Sequence, residues 1–422
     1  MQLSARAEML AAALERACPG AAPLAVAVSG GGDSLALLLA AAARAGASGP
    51  AVSAVTVDHG LRPEAATEAR RVAEICATRG IPHDILVWQG WDGQGNLQAA
   101  ARQARLRLIA YWARDRDIGR VALAHTRDDQ AETVLMRLAR GAGVDGLAGM
   151  APERRAGGVS WLRPFLGIPR ADLRSYLEEC GQDWIEDPSN DDRRFERVRV
   201  RQALELLRPV GIGAAGLAAT ATRLASARAA LDAATAEAAA RLVREEAGDL
   251  LIEAGGLAAL PEEIARRLVL AGLGWVSGAG YPPRARGLEA ALSALMRGPR
   301  ATLHGCLLQR ARGRIRIGRE PAAVAGLSCA PGTLWDGRWR LSGPADAGSG
   351  EGAPEGLEIR ALGAEGLAAC PDWRAAGLPR TTLIASPSVW QGGALIAAPL
   401  AGYGKNWSAA VNPSFTAHLL SH

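Results

Sequence analysis

The sequence predicts an α/β protein: a doubly wound parallel sheet, then a helical domain, then a small mixed α+β C-terminal domain. Three observations carry this. From Leu24 to about Gly141 short apolar runs alternate with helical patterns, as in a parallel sheet covered on both faces. From Ile212 to about Gly298 the composition turns Ala-rich, and Ala214 to Glu246 reads as one long helical arm. From Thr333 onward strand-like runs return. At 422 residues the chain exceeds one ordinary core, and the shifts divide it into 1–208, 209–325 and 326–422.

Leu24-Ala-Val-Ala-Val28 reads as a buried strand and Leu35-Ala-Leu-Leu-Leu39 as a helix. Between them stands Ser29-Gly-Gly-Gly-Asp-Ser34. Three glycines allow positive φ and close backbone approach, so the N–H groups of Gly30, Gly31 and Gly32 can form an anion-binding concavity at a helix start. Ser29 and Ser34 can add hydroxyl donors, and Asp33 can ligate Mg²⁺ through water. The bland reading is a glycine-rich turn that binds nothing. The two serines and the acid favour a phosphate loop, although no lysine follows as in the kinase-type motif.

Ala51 to Val57 is a second strand ending at Asp58-His-Gly60, and Pro63 opens a helix running to about Arg79. Ile85 to Trp88 is a third strand and Asn96 to about Arg116 a long helix. Val121 to Ala124 is a fourth strand, followed at once by His125-Thr-Arg-Asp-Asp-Gln-Ala-Glu-Thr133. Ligands of such sheets sit at the carboxyl ends of the strands, so one rim collects Ser29, Asp58, His59 and His125. Gly141 to Gly158 reads as a loop, Trp161-Leu-Arg-Pro164 as a final strand, and Pro169 as the opening of a helix ending near Cys180-Gly181. A turn cluster, Asp187 to Asp192, leads into a basic run in which Arg193, Arg197 and Arg201 stand four apart, the spacing of one helical face. Further on, Arg310, Arg312, Arg314 and Arg316 alternate with small or apolar residues, the period of one strand face. Leu334 to Leu341, Leu357 to Leu362, Thr381 to Ala385 and Ala394 to Ala398 read as strands, and Asp346 to Glu355 as a mobile loop.

Composition narrows the classes. The six cysteines are scattered without a close pair, which argues for a reducing, cytoplasmic setting and against a zinc ribbon or disulfide scaffold. No targeting segment is recognised, and the longest apolar run, Leu35 to Ala43, is too short to span a bilayer, so no membrane partner is expected. The net charge is +5 and Lys405 is the sole lysine, so a cation touching phosphate in the first two hundred residues must be arginine or metal.

On the helix after His125, Asp129 and Glu132 stand three apart and share a face. Two acids at a helix start are also ordinary capping, and a lone histidine is commonly structural. Ser29-Gly-Gly-Gly-Asp-Ser34 looks like the PP-loop of the N-type ATP pyrophosphatases. Joined by Asp58-His-Gly-Leu-Arg62, Ala101-Arg-Gln-Ala-Arg105, Ala124-His-Thr-Arg-Asp-Asp-Gln-Ala-Glu-Thr133, Leu138-Ala-Arg-Gly141, Arg163-Pro164 and Glu186-Asp-Pro-Ser-Asn190, it resembles the bacterial tRNA(Ile)-lysidine synthetases. The strong motifs cover about the first 205 residues. The family usually carries tyrosine where Leu106 stands and Arg-Asn where Arg197-Val198 stands.

The resemblance implies a PP-loop fold of the adenine nucleotide alpha hydrolase type, with ATP and Mg²⁺ as cofactors. It implies that ATP adenylates the wobble cytidine of a tRNA(Ile) with CAU anticodon and that free L-lysine then displaces AMP to give lysidine. Within it, Ser29 to Ser34 hold ATP, with Asp33 on the metal side. Arg105, with Arg102 one turn before it, meets the α-phosphate. Asp129 and Glu132 hold the lysine ammonium, and one of them accepts its proton. His125 positions phosphate or base. Arg193, Arg197 and Arg201 and the stripe Arg310, Arg312, Arg314 and Arg316 are the candidate tRNA contacts. The rivals are a tRNA thiolase, which needs a reactive cysteine or iron–sulfur cluster at the rim, an amidating synthetase, and a non-catalytic RNA-binding relative.

Overall fold

The structure is a computed structural model describing residues 4–45, 49–60, 64–89, 91, 97–186, 192–343, 356–404 and 406–420. Leu61, Arg62, Pro63, Asn96, Asp187 to Asp191, the loop expected at Asp346 to Glu355, and Lys405 lie outside the described residues. The chain divides into two compact units, Met1–Arg228 and Ala229–His422.

In the first unit α1 (Ala5–Ala17) precedes β1 (Leu24–Ala27), α2 (Gly32–Ala45), β2 (Val52–Asp58), α3 (Ala65–Thr78), β3 (His83–Val87), α4 (Leu97–Asp115) and β4 (Arg120–Ala122). Then come α5 (Arg127–Ala139), the short α6 (Val144–Leu147), β5 (Glu153–Ala156), β6 (Val159–Leu162), α7 (Arg170–Glu179) and α8 (Glu196–Leu207). The sheet order is β3-β2-β1-β4-β6-β5, parallel except for the edge strand β5. Residues of β1 alternate between two cores: Leu24 and Val26 pack with Leu10, Leu35, Leu38, Val72 and Leu173, while Ala25 packs with Ile109, Trp112 and Trp161. Helices α1, α2, α3 and α7 thus cover one face and α4 the other. The chain leaves β1 toward β2 and returns on its other side as β4, so the topological switch point lies between the carboxyl ends of β1 and β4.

The Gly141 to Gly158 stretch differs from the expected loop. It contains β5, joined to β6 by Gly157-Gly158, whose φ values of +66° and +81° make the primed turn that matches strand twist.

A long helix α9 (Ala214–Leu242) ends before Glu246, and four residues of the expected helical arm form β7 (Val243–Glu246). In the second unit β7 joins a five-stranded antiparallel sheet with β8 (Asp249–Glu253), β9 (Arg300–Leu303), β10 (Cys306–Ala311) and β11 (Arg314–Arg319), in the order β7-β8-β11-β10-β9. Its core, with Leu250, Ile252, Leu308 and Ile317, is covered by the helices Glu262–Ser277 and Ala285–Arg297. The arginine stripe is therefore not one strand face. Arg312 and Gly313 turn the chain at φ +50° and +74°, Arg310 pairs with Ile315, and Arg314 pairs with Ala311.

Beyond it β12 (Ser328–Cys329), β14 (Leu357–Ala361), β15 (Pro387–Gln391) and β16 (Ala394–Ala397) form one sheet, and β13 (Trp339–Ser342) pairs with β17 (Ser408–Val411). Two expected strands are corrected. Thr381 to Ala385 falls on a short helix, Arg380–Ile384, whose Thr382 and Leu383 are buried. Of Leu334 to Leu341 only the end is strand, because Trp335 folds back onto Trp339 in an isolated bridge and both rings are buried. Among the described residues no helix is long and apolar enough to cross a membrane.

Candidate active site

The glycine loop leaves β1 at the switch point. The Ser29 N–H donates to Ser34 Oγ at 3.2 Å, and Ser34 Oγ donates to the Gly31 carbonyl at 2.9 Å, so the Ser34 hydroxyl staples the loop to the first turn of α2. Gly30 has φ +86°, and a Cβ there would lie 2.7 Å from Ile185 Cδ1. The Ile185 N–H donates to the Gly30 carbonyl at 3.0 Å, which lays the segment before 187 along the loop. Only glycine meets both demands at position 30.

A cavity of about 950 Å³ opens here. Ser29, Gly31, Gly32, Asp33 and Ser34 form one wall, and His125, Asp129 and Arg170 face them. His59 and Arg105 also line it. The glycine loop and the start of α5 thus share one crevice. Gly30 and Glu132 are not in its wall. Asp58 turns aside, accepting the Gly60 N–H at 2.8 Å.

Helix α5 begins with a capping box. Thr126 donates its N–H and hydroxyl to Asp129 Oδ2 at 2.8 and 2.9 Å, and the Asp129 N–H donates to Thr126 Oγ1 at 3.3 Å. That leaves Oδ1 free to accept Arg170 Nη2 at 3.1 Å. The capping and functional readings of Asp129 therefore both hold, one on each oxygen. Asp128 acts elsewhere. Its Oδ2 accepts the backbone N–H of Arg170 at 2.8 Å, fixing the start of α7 against the start of α5.

Arg170 links three acids. Its Nε donates to Asp33 Oδ2 at 2.8 Å, its Nη2 to Asp129, and its Nη1 lies 3.8 Å from Glu132 Oε1. Glu132 Oε1 also accepts Arg201 Nε at 3.0 Å, while Glu132 Oε2 is buried with no donor among the described residues.

Burial raises the Asp33 carboxyl above its ordinary value although Arg170 opposes it, and burial raises Glu132 against Arg201. At Asp129 burial pulls the same way, but Arg170 and the Thr126 amide prevail and hold it below the usual carboxylate range. Burial takes His125 down to about 4, so it stands neutral at pH 7. His59 is lowered by burial and by Arg105. Arg105 is itself lowered by burial and by the charges of Arg102 and Arg197.

Residues 4–207 match the PP-loop domain family. A tRNA(Ile)-lysidine synthase from Ruegeria pomeroyi is 51% identical over 402 residues, 94% of each chain. The chain belongs to the tRNA(Ile)-lysidine synthase family. A second tRNA(Ile)-lysidine synthase, from Methylobacterium nodulans, is 44% identical and covers 73% of this chain and 94% of its own. Among solved structures, the U34-tRNA thiolase NcsA from Methanococcus maripaludis with its [4Fe-4S] cluster aligns with TM-score 0.46 and 16% identity over 52% of this chain and 79% of that one.

For a lysidine synthase of this family, the structure brings Ser29, Gly31, Gly32, Asp33, Ser34, Arg105, His125 and Asp129 into one cavity, with Glu132 one helical turn behind Asp129. The basic run is divided. Arg193 precedes α8, so it does not share a helical face with the others. Arg201 lines the cavity and is held by Glu132, whereas the charge of Arg197 reaches His125, Asp129 and Arg105. In the second unit Arg310, Arg312 and Arg314 are exposed about the β10–β11 turn. Arg316 is turned inward, 2.9 Å from Asp249 and paired with Glu246, unlike the three exposed members of the stripe. Sequence reasoning missed Arg170. One sign was legible: a basic residue in a first helical turn opposes the helix dipole and implies acids facing it. Cys18 and Cys76 are buried and Cys180 is exposed, and none of the three is among the residues that line the cavity.

Proposed function

We propose that this chain carries out ATP-dependent lysidine formation on tRNA(Ile), with the steps divided among the residues of this crevice. The cytosine 2-oxo oxygen attacks the α-phosphorus, the bond to pyrophosphate breaks, and the tRNA is left adenylated. The loop from Ser29 to Ser34 receives the departing pyrophosphate on backbone N–H groups. Arg105 faces the α-phosphate, where its guanidinium can hold two oxygens and meet the charge that develops there.

Among the described residues no cluster of three or more His, Cys, Asp or Glu is arranged to hold a metal. Mg²⁺ fits such a site, because it is commonly held by one or two carboxylates together with substrate phosphates. Asp33, at the loop's edge, is the carboxylate that would hold it, and the ion would supply charge stabilisation to the leaving pyrophosphate.

The substrate lysine is the second cation. Asp129 lines the cavity and stays ionised, so it can meet the ammonium and take the proton that must leave before the amine lone pair attacks the carbon and AMP departs. Glu132 stands behind it and positions Arg170 and Arg201. Arg193 and Arg197, and separately Arg310, Arg312 and Arg314, contact tRNA backbone. A reaction on tRNA with ATP and free lysine belongs in the cytoplasm.

The observation that carries this reading is the shared cavity: a phosphate cradle on one wall and an ionised, arginine-bridged carboxylate on the other. The test is incubation with labelled lysine, ATP and unmodified tRNA(Ile) bearing a CAU anticodon. Label should enter the tRNA, and Asp33→Asn and Asp129→Asn should abolish its entry. Incorporation that survives both substitutions overturns the assignment.

A further inference from the structure

Arginines in and around the crevice differ in their partners. Arg170 faces three carboxylates and Arg201 faces one. Arg102, Arg105, Arg154, Arg163 and Arg197 face none within ion-pair distance among the described residues, and the buried Nε atoms of Arg105 and Arg163 have no hydrogen-bond partner. Three elements bring them together. Arg102 and Arg105 lie one turn apart on α4. Arg154 stands opposite Trp161 on the β5–β6 hairpin, and the Arg163 N–H donates to the Pro152 carbonyl at 2.8 Å, continuing that ladder. Arg154 and Arg163 therefore share the hairpin face that Trp161 uses to pack against Ile109 of α4. Arg197 comes from α8.

Their charges act on one another. Burial lowers Arg102, aided by Arg197 and Arg154, and burial lowers Arg163, aided by Arg102 and Arg154. Such an arrangement is relieved by an anion.

We propose that Arg102, Arg154, Arg163 and Arg197, continuing outward from Arg105, form a second anion site that takes a backbone phosphate of the RNA substrate. This rests on the RNA-directed reading above and deepens it. A phosphate of ATP is the other source of the same chemistry, but spacing disfavours it. Arg154 marks the outer end of the cluster: its strand β5 lies three places from β1 in the sheet, about 14 Å away at roughly 4.8 Å per strand, while the triphosphate starts at the loop after β1. The phosphodiester flanking the target base is the anion that must lie beside the nucleotide when that base enters the crevice.

The test uses the full chain and tRNA(Ile) with a CAU anticodon, at several salt concentrations. Arg154 is exposed, so Arg154→Ala should keep the wild-type melting temperature. Its tRNA affinity should fall about five-fold, and the slope of log affinity against log salt should flatten by about 0.7, one single-strand phosphate contact. Arg154→Lys should restore both. MgATP affinity, measured by equilibrium dialysis without tRNA, should stay within two-fold. Unchanged tRNA affinity and slope overturn the proposal. So does a ten-fold loss of MgATP affinity with tRNA binding intact, which assigns the cluster to the nucleotide. Lysine incorporation by the wild-type chain is scored separately, so failure of the lysidine reading is distinguishable from failure of this site.

Discussion

Removing the Arg170 guanidinium should destabilise the first unit in a pH-dependent way. Glu132 has a side chain 1% exposed, and without Arg170 it keeps, among the described residues, only Arg201, on Oε1. An uncompensated carboxylate escapes by taking up a proton, so its penalty is capped by the free energy of protonation. From the ordinary value of 4.5 to pH 7 this is about 3.4 kcal/mol at roughly 1.36 kcal/mol per pH unit. Truncating one partner of a buried pair costs about 3–5 kcal/mol, the same size. Asp129, with a side chain 10% exposed, loses its Nη2 donor but keeps both Thr126 donors on Oδ2, and Asp33, 24% exposed, adds less because water screens it. We expect Arg170→Gln to lose about 3 kcal/mol at pH 7, or ~6–12 °C in melting temperature for a unit of this size.

The sign with pH follows from linkage. Glu132 already stands above its ordinary value in the native chain, and losing the lowering influence of Arg170 raises it further. The variant's folded form therefore binds the proton more tightly than the wild type's and regains stability relative to it as pH falls toward 4.5. At pH 5.5 the cap is about 1.4 kcal/mol, and the gap from wild type should shrink to ~3–6 °C. Buried, neutral His125 destabilises both proteins as pH falls below 6.5 and cancels in the difference. Scanning calorimetry of both full-length chains at pH 7.0 and 5.5 reads this directly. A gap below about 1 °C at neutral pH, or one that widens on acidification, refutes the reasoning.

Gly30→Ala should strain a φ of +86° and drive a Cβ into Ile185, at about 1–3 kcal/mol, and weaken ATP binding at least ten-fold by calorimetric titration; unchanged affinity refutes the role given to that turn. The His125 imidazole should titrate near 4 by proton NMR, and an inflection between pH 6 and 7 would contradict its burial as the dominant influence. In the second unit, Arg316→Ala should strand the buried Asp249 carboxylate and lose about 3–5 kcal/mol, whereas the double variant with Asp249→Asn should recover most of it. Equal loss in the single and double variants, measured by thermal unfolding, would show that the pair is not coupled.

The legible parts of the chain are those where local pattern and tertiary role coincide. Ser29 to Ser34 sits where a strand must pass into a helix, so glycines and a helix start announce an anion site before any contact is known. The alternation of β1 to β4 with their helices implied the rim that gathers Ser29, His59 and His125. The second unit was harder to read because 50 of the 422 residues are glycine, which dilutes the turn signal. Ala247-Gly248, His304-Gly305 and Arg312-Gly313 each make a two-residue turn with both φ positive, and none stands out from the glycines around it. For that reason the arginine stripe read as one strand when it is a hairpin.

The sequence by itself determined the parallel sheet, the phosphate loop and the acids at the start of α5, because each is written in adjacent residues with a fixed period. It could not say which arginines meet those acids. Arg170 lies 137 residues from Asp33 and 41 from Asp129, and only the docking of α7 against α5 joins them. The same holds for the arginines without carboxylates: whether a guanidinium is paired or waits for an anion depends on what the fold brings within a few ångströms, because charge interactions fall off with distance in space and not along the chain.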